Sequence, residues 1–447
     1  MSPVARRTRS TSDERGSTAS IEWVLAGRGL VRGRIQSVEV GIDGEGMIVA
    51  VGKDLPGPRR HDVGELLLLP SATDMHAHLR DPGPSPEVES FAAGTIEAAV
   101  GGVGLVADMP NTDPPVTNLE RLKSKVARAR DRLAVDLLLY AMATPSGAIE
   151  ELGRAAGAFK LYLSPTTGVD SPPDPSELPK LLKRVAATDL PLTVHAEDPK
   201  RFVMDPPAQN LAEWDRARPP IAERVAVEQL IEAAPPGLRL HVAHVTEAGV
   251  GTRIQEAGFS SEASPHHLLL HAHINPEARG KVNPPLRTEA DRRALWAAFC
   301  EGRIGCIASD HAPHPSSAKE RPFNLAPSGV PGLETMVPLL LERVRASELP
   351  LERFIQAACE RPARWLGQPR GRIAVGHRAD LLVVDFRRTR TITARSLHAP
   401  CGWSPFEGWQ AIFPTEHYHG GERIVADGEY VGNARGKIVR PEFARSP

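Results

Sequence analysis

The pattern of hydrophobic and polar positions changes along the chain. Between residues 20 and 64, short β-prone runs such as IEWVLAGRGL alternate with glycine-containing turns, and GRIAVGHRADLLVVDF and GERIVADGEYV near the other end have the same texture. Short apolar runs bounded by turn residues predict β-strands. Because the two parts are alike, we expect residues 20–64 and 368–447 to form one small β-sandwich domain around an inserted larger unit, with a tail at the C-terminus.

From about residue 65 to residue 367, short apolar runs alternate with longer helical patterns, which is typical of βαβ units. Eight runs predict strands: ATDMHAH, VGLVADM, AVDLLLYAM, AFKLYL, LPLTVHA, LRLHVAH, FSSEAS and IGCIASD. Helix signals lie between them: Asn118 is a predicted N-cap, Thr288 and Asp291 have capping-box spacing, and prolines open ARPPIAERVAVEQLIEAA. We therefore predict an α/β fold, a (β/α)₈ TIM barrel, with its active site at the C-terminal ends of the strands.

Composition and charge narrow the classes of function. The 447 residues include 54 Lys and Arg against 55 Asp and Glu, a formal net charge of -1. This balance removes the usual reason to expect binding to nucleic acid or to an anionic membrane surface. No stretch approaches the roughly 18 apolar residues of a membrane span, and the polar N-terminus lacks the apolar run of a secretory signal. We expect a cytoplasmic protein with a disordered tail over residues 1–19.

Histidine is common and cysteine is rare, with 16 His against 4 Cys, so any metal should be bound by imidazole and carboxylate. The first predicted strand ends in His76 and His78, whose side chains share a face because alternate strand residues point the same way. The fifth and sixth strands end in His195 and His244, and the eighth ends in Asp310. Four neutral imidazoles and one carboxylate suit Zn²⁺.

Lys160 lies inside the fourth predicted strand, where a charge is costly to bury unless it is paired or neutralised. A buried ion pair is the structural alternative. Burial lowers the pKa of a lysine and favours the neutral amine, which can add CO₂ to form a carbamate. That anion has two oxygens and can bridge two metals, between which water becomes hydroxide near neutral pH. We therefore hypothesise that a carboxylated Lys160 bridges two Zn²⁺ ions in each subunit.

Two segments resemble the signature of dihydroorotases in the amidohydrolase superfamily: DMHAHLRDPG (74–83) and GTIEAAVGGVGLVADMPNTDPP (94–115). Further blocks follow in the order of that family: FKLYLSPTTG, LTVHAED, HVAHVTEAG, EASPHHLLL, KVNPPLR, ASDHAPH, GVPGLET and SPFEGW. The resemblance covers nearly everything from residue 20 to residue 435. It implies a (β/α)₈ barrel with a flanking β-sandwich, and the hydrolysis or formation of a cyclic amide.

The resemblance also implies the ligands of each metal. His76 and His78 would bind the first metal together with Asp310. The second metal would be bound by His195 and His244. Lys160, carboxylated, would bridge the two.

Four further positions match the family's contacts with its substrate. Arg80 in HLRDPG and Asn111 in MPNT match the residues that hold the substrate's carboxylate. Arginine suits this role because its planar guanidinium pairs bidentately with a carboxylate. Asn283 in VNPPLR and His314 in SDHAPH resemble the remaining substrate contacts.

The implied reaction is the reversible hydrolysis of (S)-dihydroorotate to N-carbamoyl-L-aspartate in pyrimidine biosynthesis. A metal-bridging hydroxide would attack the ring carbonyl, with Asp310 as the catalytic general acid and base. The loop 164–175, which contains Thr166 and Thr167, is predicted to fold over the substrate as a lid, with a mobile surface loop as the alternative. A homodimer and an association with aspartate carbamoyltransferase are the partners that the resemblance suggests.

Three alternatives remain open at the level of sequence. A hydantoinase or allantoinase would share the metal ligands, but Arg80 and Asn111 suit a substrate with a free carboxylate. A mononuclear deaminase of the same superfamily would not need Lys160. A non-catalytic dihydroorotase-like partner of aspartate carbamoyltransferase would have lost metal ligands, whereas all six positions are present here.

Overall fold

A computed structural model describes residues 20–442, except residues 32, 84, 86, 167–168, 170–171, 274–276 and 434–435. The predicted disordered tail, residues 1–19, lies outside the described residues.

The strands fall into three groups along the chain. The N-terminal group is β1 (Trp23–Val31), β2 (Arg34–Ile42), β3 (Ile48–Gly52) and β4 (Arg59–Pro70). The central group is β5 (Ala72–Ala77), β6 (Val103–Asp108), β7 (Asp136–Met142), β8 (Ala158–Tyr162), β9 (Leu192–His195), β10 (Leu240–Val242), β11 (Ser260–Ala263) and β12 (Cys306–Ile307). The C-terminal group is β13 (Leu381–Val384), β14 (Arg390–Thr391), β15 (Gln410–Ala411), β16 (Glu416–His419), β17 (Glu422–Ala426) and β18 (Glu429–Tyr430).

The α-helices lie mainly between the central strands. They are α1 (Phe91–Gly101), α2 (Leu119–Ala129), α3 (Ile149–Gly153), α4 (Leu178–Ala186), α5 (Leu211–Ala217), α6 (Pro220–Ala233), α7 (Ala248–Glu256), α8 (Pro265–Leu269), α9 (Glu289–Cys300), α10 (Ser316–Lys319), α11 (Met336–Arg345), α12 (Leu351–Phe354) and α13 (Arg361–Trp365). Short 3₁₀ turns cover Pro175–Glu177, Pro199–Arg201, Glu277–Gly280 and Ala394–Ser396, and a π-helical turn covers Ile355–Glu360. Among the helices that the structure describes, none combines the length and the apolar composition needed to cross a bilayer.

The eight central strands form the predicted barrel. They are parallel neighbours in sequence order from β5 to β12. The last strand's segment returns to the first through a parallel bridge between Ala77 and His311, where the His78 N–H donates to the His311 carbonyl at 2.7 Å. Strands β5 to β8 are buried along their whole length, as expected where helices and barrel interior cover both faces. The predicted (β/α)₈ fold is confirmed.

The residues predicted to begin helices lie at helix N-termini. The Asn118 side chain caps α2 by accepting from the Arg121 N–H at 3.0 Å, and the Thr288 side chain caps α9 by accepting from the Asp291 N–H at 3.3 Å. Helix α6 begins at Pro220, where the missing N–H would have had no helical partner.

Strands from both ends of the chain join in a second sheet of order β18-β17-β16-β13-β4-β1-β2-β3. The N- and C-terminal parts meet where β4 pairs antiparallel with β13. Leu25, Val40, Leu68 and Leu381 belong to a core that this sheet encloses separately from the barrel core. The expected β unit built from both ends of the chain is therefore present. Its boundaries at residues 64 and 367 stay a prediction, and strand β4 of this sheet continues beyond residue 64 to Pro70.

A buried ionic network joins the barrel to this sheet. Asp136 at the start of β7 pairs with the Arg370 guanidinium and lies 3.2 Å from His419 Nε2 at the end of β16. Arg370 Nη1 also lies 3.1 Å from the Asp380 carboxylate. Burial alone would raise the pKa of Asp136, but Arg370, His419 and Arg378 together outweigh it and hold that pKa well below its usual value.

Candidate active site

The side chains predicted to bind the first metal meet where β5 and β12 end. His76 lies in β5, His78 follows that strand, and Asp310 follows β12. His76 Nε2 and His78 Nε2 each lie 3.3 Å from Asp310 Oδ1. Donor atoms of these three residues all lie within 4.8 Å of one another, a spacing that a single metal ion could span.

The side chains predicted for the second metal lie directly beside them. His195 ends β9 and His244 follows β10, and His195 Nδ1 lies 3.0 Å from His244 Nε2. Lys160 on β8 connects the two groups, with Nζ 3.2 Å from His76 Nε2. The His76 and His244 ring centres are 5.3 Å apart. The structure therefore brings all six predicted ligands into one cluster.

Protonation states in this cluster favour cation binding. Burial lowers the pKa of every imidazole in the cluster, which leaves the ring nitrogens neutral: His76, His78, His195 and His244. Burial also lowers the pKa of Lys160 to about 8, so a neutral amine is accessible. Burial pushes the pKa of Asp310 upward, but the interactions with His78, His266 and Lys160 together outweigh it, and that pKa lies below its usual value. The donor set thus fits divalent cations that prefer nitrogen and oxygen ligands.

Two residues of the cluster and the predicted substrate contact Arg80 have positive φ. The φ values are 50° at Arg80, 35° at His244 and 47° at Asp310. Non-glycine residues in this region carry strain, which surrounding structure must compensate, and such residues cluster at functional sites.

A buried glutamate that the sequence analysis missed orients His76. Glu262 on β11 is fully buried, accepts from His76 Nδ1 at 2.6 Å, and lies 3.0 Å from His241 Nε2. With the proton on Nδ1, His76 presents a lone pair from Nε2 to the cluster. A signal was available, because Glu262 is the one acidic residue in the predicted strand FSSEAS.

A second missed carboxylate plays the same part for His195. Glu197 Oε2 lies 2.8 Å from His195 Nε2, and the buried Arg218 guanidinium pairs with the same carboxylate. Burial alone would raise the pKa of Glu197, but Arg218 and His195 together outweigh it and keep the group ionised. His195 therefore points Nδ1 toward His244. In the sequence, the only local sign of the contact between His195 and Glu197 was that the glutamate follows the histidine by two positions.

The cluster opens into a cleft of about 440 Å³. Among the predicted substrate contacts, Arg80, Asn111 and Asn283 line it. Asn111 Oδ1 accepts from His78 Nδ1 at 2.7 Å, so the amide is held against a predicted ligand.

His314 lies behind Arg80 rather than among the lining residues. Arg80 Nε donates to the Pro313 carbonyl at 2.9 Å, and Arg80 Nη2 lies 3.3 Å from His314 Nε2. Asn283 Oδ1 accepts from Trp214 Nε1 at 3.2 Å. Of the predicted lid, Thr166 lines the cleft and Thr167 lies outside the described residues, so the lid stays a prediction.

Two family descriptions match parts of the chain: Dihydro-orotase-like over residues 65–200 and Amidohydrolase family over residues 223–412. A dihydroorotase of Halobacterium salinarum is 36% identical over 421 residues, which cover 92% of this chain and 98% of that protein. The chain belongs to the dihydroorotase family. A second member, the dihydroorotase of Methanosarcina acetivorans, is 34% identical over 90% of this chain and 91% of its own length. The resemblance stated from the sequence is confirmed.

Solved structures with the same fold come from neighbouring cyclic amidases. The L-hydantoinase (dihydropyrimidinase) of Arthrobacter aurescens superposes with a TM-score of 0.88 and 26% sequence identity. The superposition covers 94% of this chain and 100% of the hydantoinase chain. The dihydropyrimidinase of Brevibacillus agri superposes with a TM-score of 0.85 and 26% identity, over 95% of this chain and 99% of that one. The family and these neighbours agree on the barrel fold.

Proposed function

We propose that this chain catalyses the reversible hydrolysis of (S)-dihydroorotate to N-carbamoyl-L-aspartate. One observation carries the proposal: the cluster of imidazoles, lysine and carboxylate shares a cleft with Arg80 and Asn111. The cluster suits hydrolysis of a cyclic amide, and the two other side chains suit a substrate with a free carboxylate. Relatives named dihydroorotase, matched over most of their length, support it further.

The metal assignment is part of the proposal. His76, His78 and Asp310 would hold one Zn²⁺, and His195 and His244 would hold a second. A carboxylated Lys160 would bridge the two. The neutral imidazoles and the lowered pKa of the lysine support this arrangement. When bound, such ions polarise a carbonyl group and lower the pKa of water.

The side chains then bind the substrate and move its proton. Arg80 and Asn111 bind the carboxylate and orient the ring, and Asn283 is a further contact with the ring. Asp310 accepts the proton of the attacking water on its carboxylate and passes it to the departing ring nitrogen. In the biosynthetic direction, Asp310 takes the proton from the nitrogen that closes the ring. Its pKa below the usual value suits the first of these steps, which needs an ionised carboxylate.

A turnover comparison with metal content measured on the same sample tests the proposal. We expect dihydroorotate and N-carbamoyl-L-aspartate to be interconverted, with about two metals per chain as in two-metal hydrolases. Faster turnover of hydantoin or allantoin would favour the activity named for the structural neighbours. A fully loaded protein without turnover of any of these compounds would favour the non-catalytic alternative.

Expectations about location and assembly stay predictions. These are a cytoplasmic location, a homodimer and an association with aspartate carbamoyltransferase. Light scattering of the purified chain, alone and mixed with that enzyme, would test the two assembly states.

A further inference from the structure

Two buried lysines lie behind the wall of the cleft. Lys319 is 2% exposed and Lys281 is 5% exposed. Within the described part of the chain, neither ammonium group has a carboxylate within 4.0 Å. Burial lowers the pKa of Lys319 to about 7 and that of Lys281 to about 8, so either group needs compensating dipoles to stay charged near neutral pH.

Backbone carbonyls supply that compensation for Lys319. Its Nζ donates to the carbonyls of Lys281 at 3.3 Å, Pro327 at 2.9 Å and Gly329 at 3.0 Å. An ammonium has three N–H donors, and all three are used. Two of the three carbonyls flank Ser328, so this residue is held from both sides.

Lys281 fixes the preceding part of the same segment. Its Nζ donates to the carbonyls of Phe323 and Ala326, each at 2.8 Å. It also lies 4.7 Å from the ring centre of Trp214 and 4.9 Å from that of Phe323, within the range of cation–π attraction. Together the two lysines hold residues 323–329, which we call the pinned segment.

Through Ser328 the pinned segment contacts two of the proposed substrate residues, Asn283 and His314, and His314 connects it to Arg80. Ser328 Oγ donates to Asn283 Oδ1 at 3.1 Å, and the Ser328 carbonyl lies 2.9 Å from His314 Nε2. His314 Nε2 in turn lies 3.3 Å from Arg80 Nη2. A shift of Ser328 would therefore displace Asn283 and His314, and through His314 it would displace Arg80.

Close packing around Gly329, the residue after Ser328, leaves little room for Ser328 to shift. Gly329 has a φ of 131°, and a Cβ there would lie 2.5 Å from the Ala312 carbonyl oxygen and 3.1 Å from His314 Nε2. The charge of Lys319 also reaches this region. Burial lowers the pKa of His314 to about 3, with Arg80 and then Lys319 adding to the effect. The potential there is positive, which favours an anionic substituent on the substrate.

We propose that Lys319 and Lys281 are positioning residues that give the site its preference for a carboxylate-bearing ring. Their ammonium groups hold the pinned segment against Asn283, His314 and Arg80. This inference rests on the proposed function, because it concerns recognition of the same substrate.

Steady-state kinetics of Lys319→Met test the inference. Loss of one set of charge-assisted hydrogen bonds predicts a rise of about 10-fold or more in KM for dihydroorotate, with kcat changed by less than about threefold. The Kd for orotate, a ring with the same carboxylate, should rise by a similar factor in calorimetry. Lys319→Gln keeps two amide donors for the carbonyls, so we expect a smaller shift, and it serves if the methionine variant does not fold.

Arg353→Met is the matched control. Arg353 is buried and donates to the carbonyls of Phe299 at 2.7 Å, Ile304 at 2.5 Å and Gly305 at 3.3 Å, before β12 begins. The Arg353→Met variant should have a lower Tm than the wild type, with the same KM for dihydroorotate and the same affinity for orotate.

The possible failures are distinct. A wild-type protein without dihydroorotate turnover refutes the proposed function. The inference is overturned if the wild type does not bind orotate, or if both Lys319 variants retain wild-type orotate affinity. A fall in kcat at constant KM would also overturn it.

Discussion

Replacing Glu262 with glutamine is the sharpest test of the metal-binding geometry. The carboxylate accepts from His76 Nδ1 and His241 Nε2, at 2.6 and 3.0 Å. A glutamine offers one acceptor oxygen and one NH₂ donor, so it can satisfy only one of the two imidazole N–H groups. If the NH₂ faces His76, the ring must move its proton to Nε2, the nitrogen that points toward Asp310.

The magnitude follows from the bond that is lost. A hydrogen bond to a charged group is worth about 1.5–3 kcal/mol, and each 1.4 kcal/mol changes an equilibrium constant about tenfold. Loss of outer partners of metal-binding histidines usually weakens affinity by about 10- to 100-fold. We therefore expect Glu262→Gln to weaken binding of at least one cation by a factor in that range.

Competition with a chromophoric chelator, followed by elemental analysis, measures this affinity. Glu342→Gln is the control, because Glu342 is also buried but pairs with Arg345 on α11. It should leave metal affinity unchanged. If Glu262→Gln binds both cations within twofold of the wild-type affinity, the assigned role of Glu262 is wrong.

Three other substitutions separate chemistry, recognition and stability. Asp310→Ala should reduce kcat by at least about 100-fold, the scale of general acid–base catalysis, with an unchanged circular dichroism spectrum; retained activity would contradict its role. Arg80→Met should raise KM for dihydroorotate by about 10- to 100-fold through loss of a charge-assisted contact, and an unchanged KM would count against it. Asp136→Asn should lower the free energy of unfolding by about 3–5 kcal/mol at pH 7 with kcat retained, because it leaves the buried charge of Arg370 with less compensation. Since folding lowers the pKa of Asp136 below 3.8, its contribution is present above that pH and is lost as pH falls through the folded-state value. The difference between variant and wild type in urea titrations should therefore shrink below about pH 4, and a constant difference would refute the assignment.

Local patterns were sufficient for the barrel and for the placement of candidate ligands. All the predicted strands except FSSEAS were readable as apolar runs, and parallel barrel strands bring their C-terminal ends to one face. His76, His195 and Asp310 could therefore be expected to meet although they are far apart along the chain. The end of β5 and the start of the loop after β12 meet as that rule requires.

The sequence did not indicate which buried side chains form hydrogen bonds and ion pairs around the predicted ligands. Glu262 and His76 are 186 positions apart, and nothing local in either strand indicates that they form a hydrogen bond. Arg218 lies between α5 and α6, and nothing in its local sequence indicates its ion pair with Glu197. Lys319 ends the short helix α10, and the carbonyls around its Nζ belong to Lys281, Pro327 and Gly329, which only the fold brings together.

The sequence by itself determined the barrel, the sheet built from both ends of the chain, and the residue types at the strand ends. These follow from periodicity and from chemistry carried by single positions. The tertiary structure alone decided which nitrogen of His76 and His195 faces the cluster, and which buried charges hold the cleft walls in place. Those choices depend on distances of about 3 Å between side chains from different strands and loops, the range of a hydrogen bond, which no local pattern encodes.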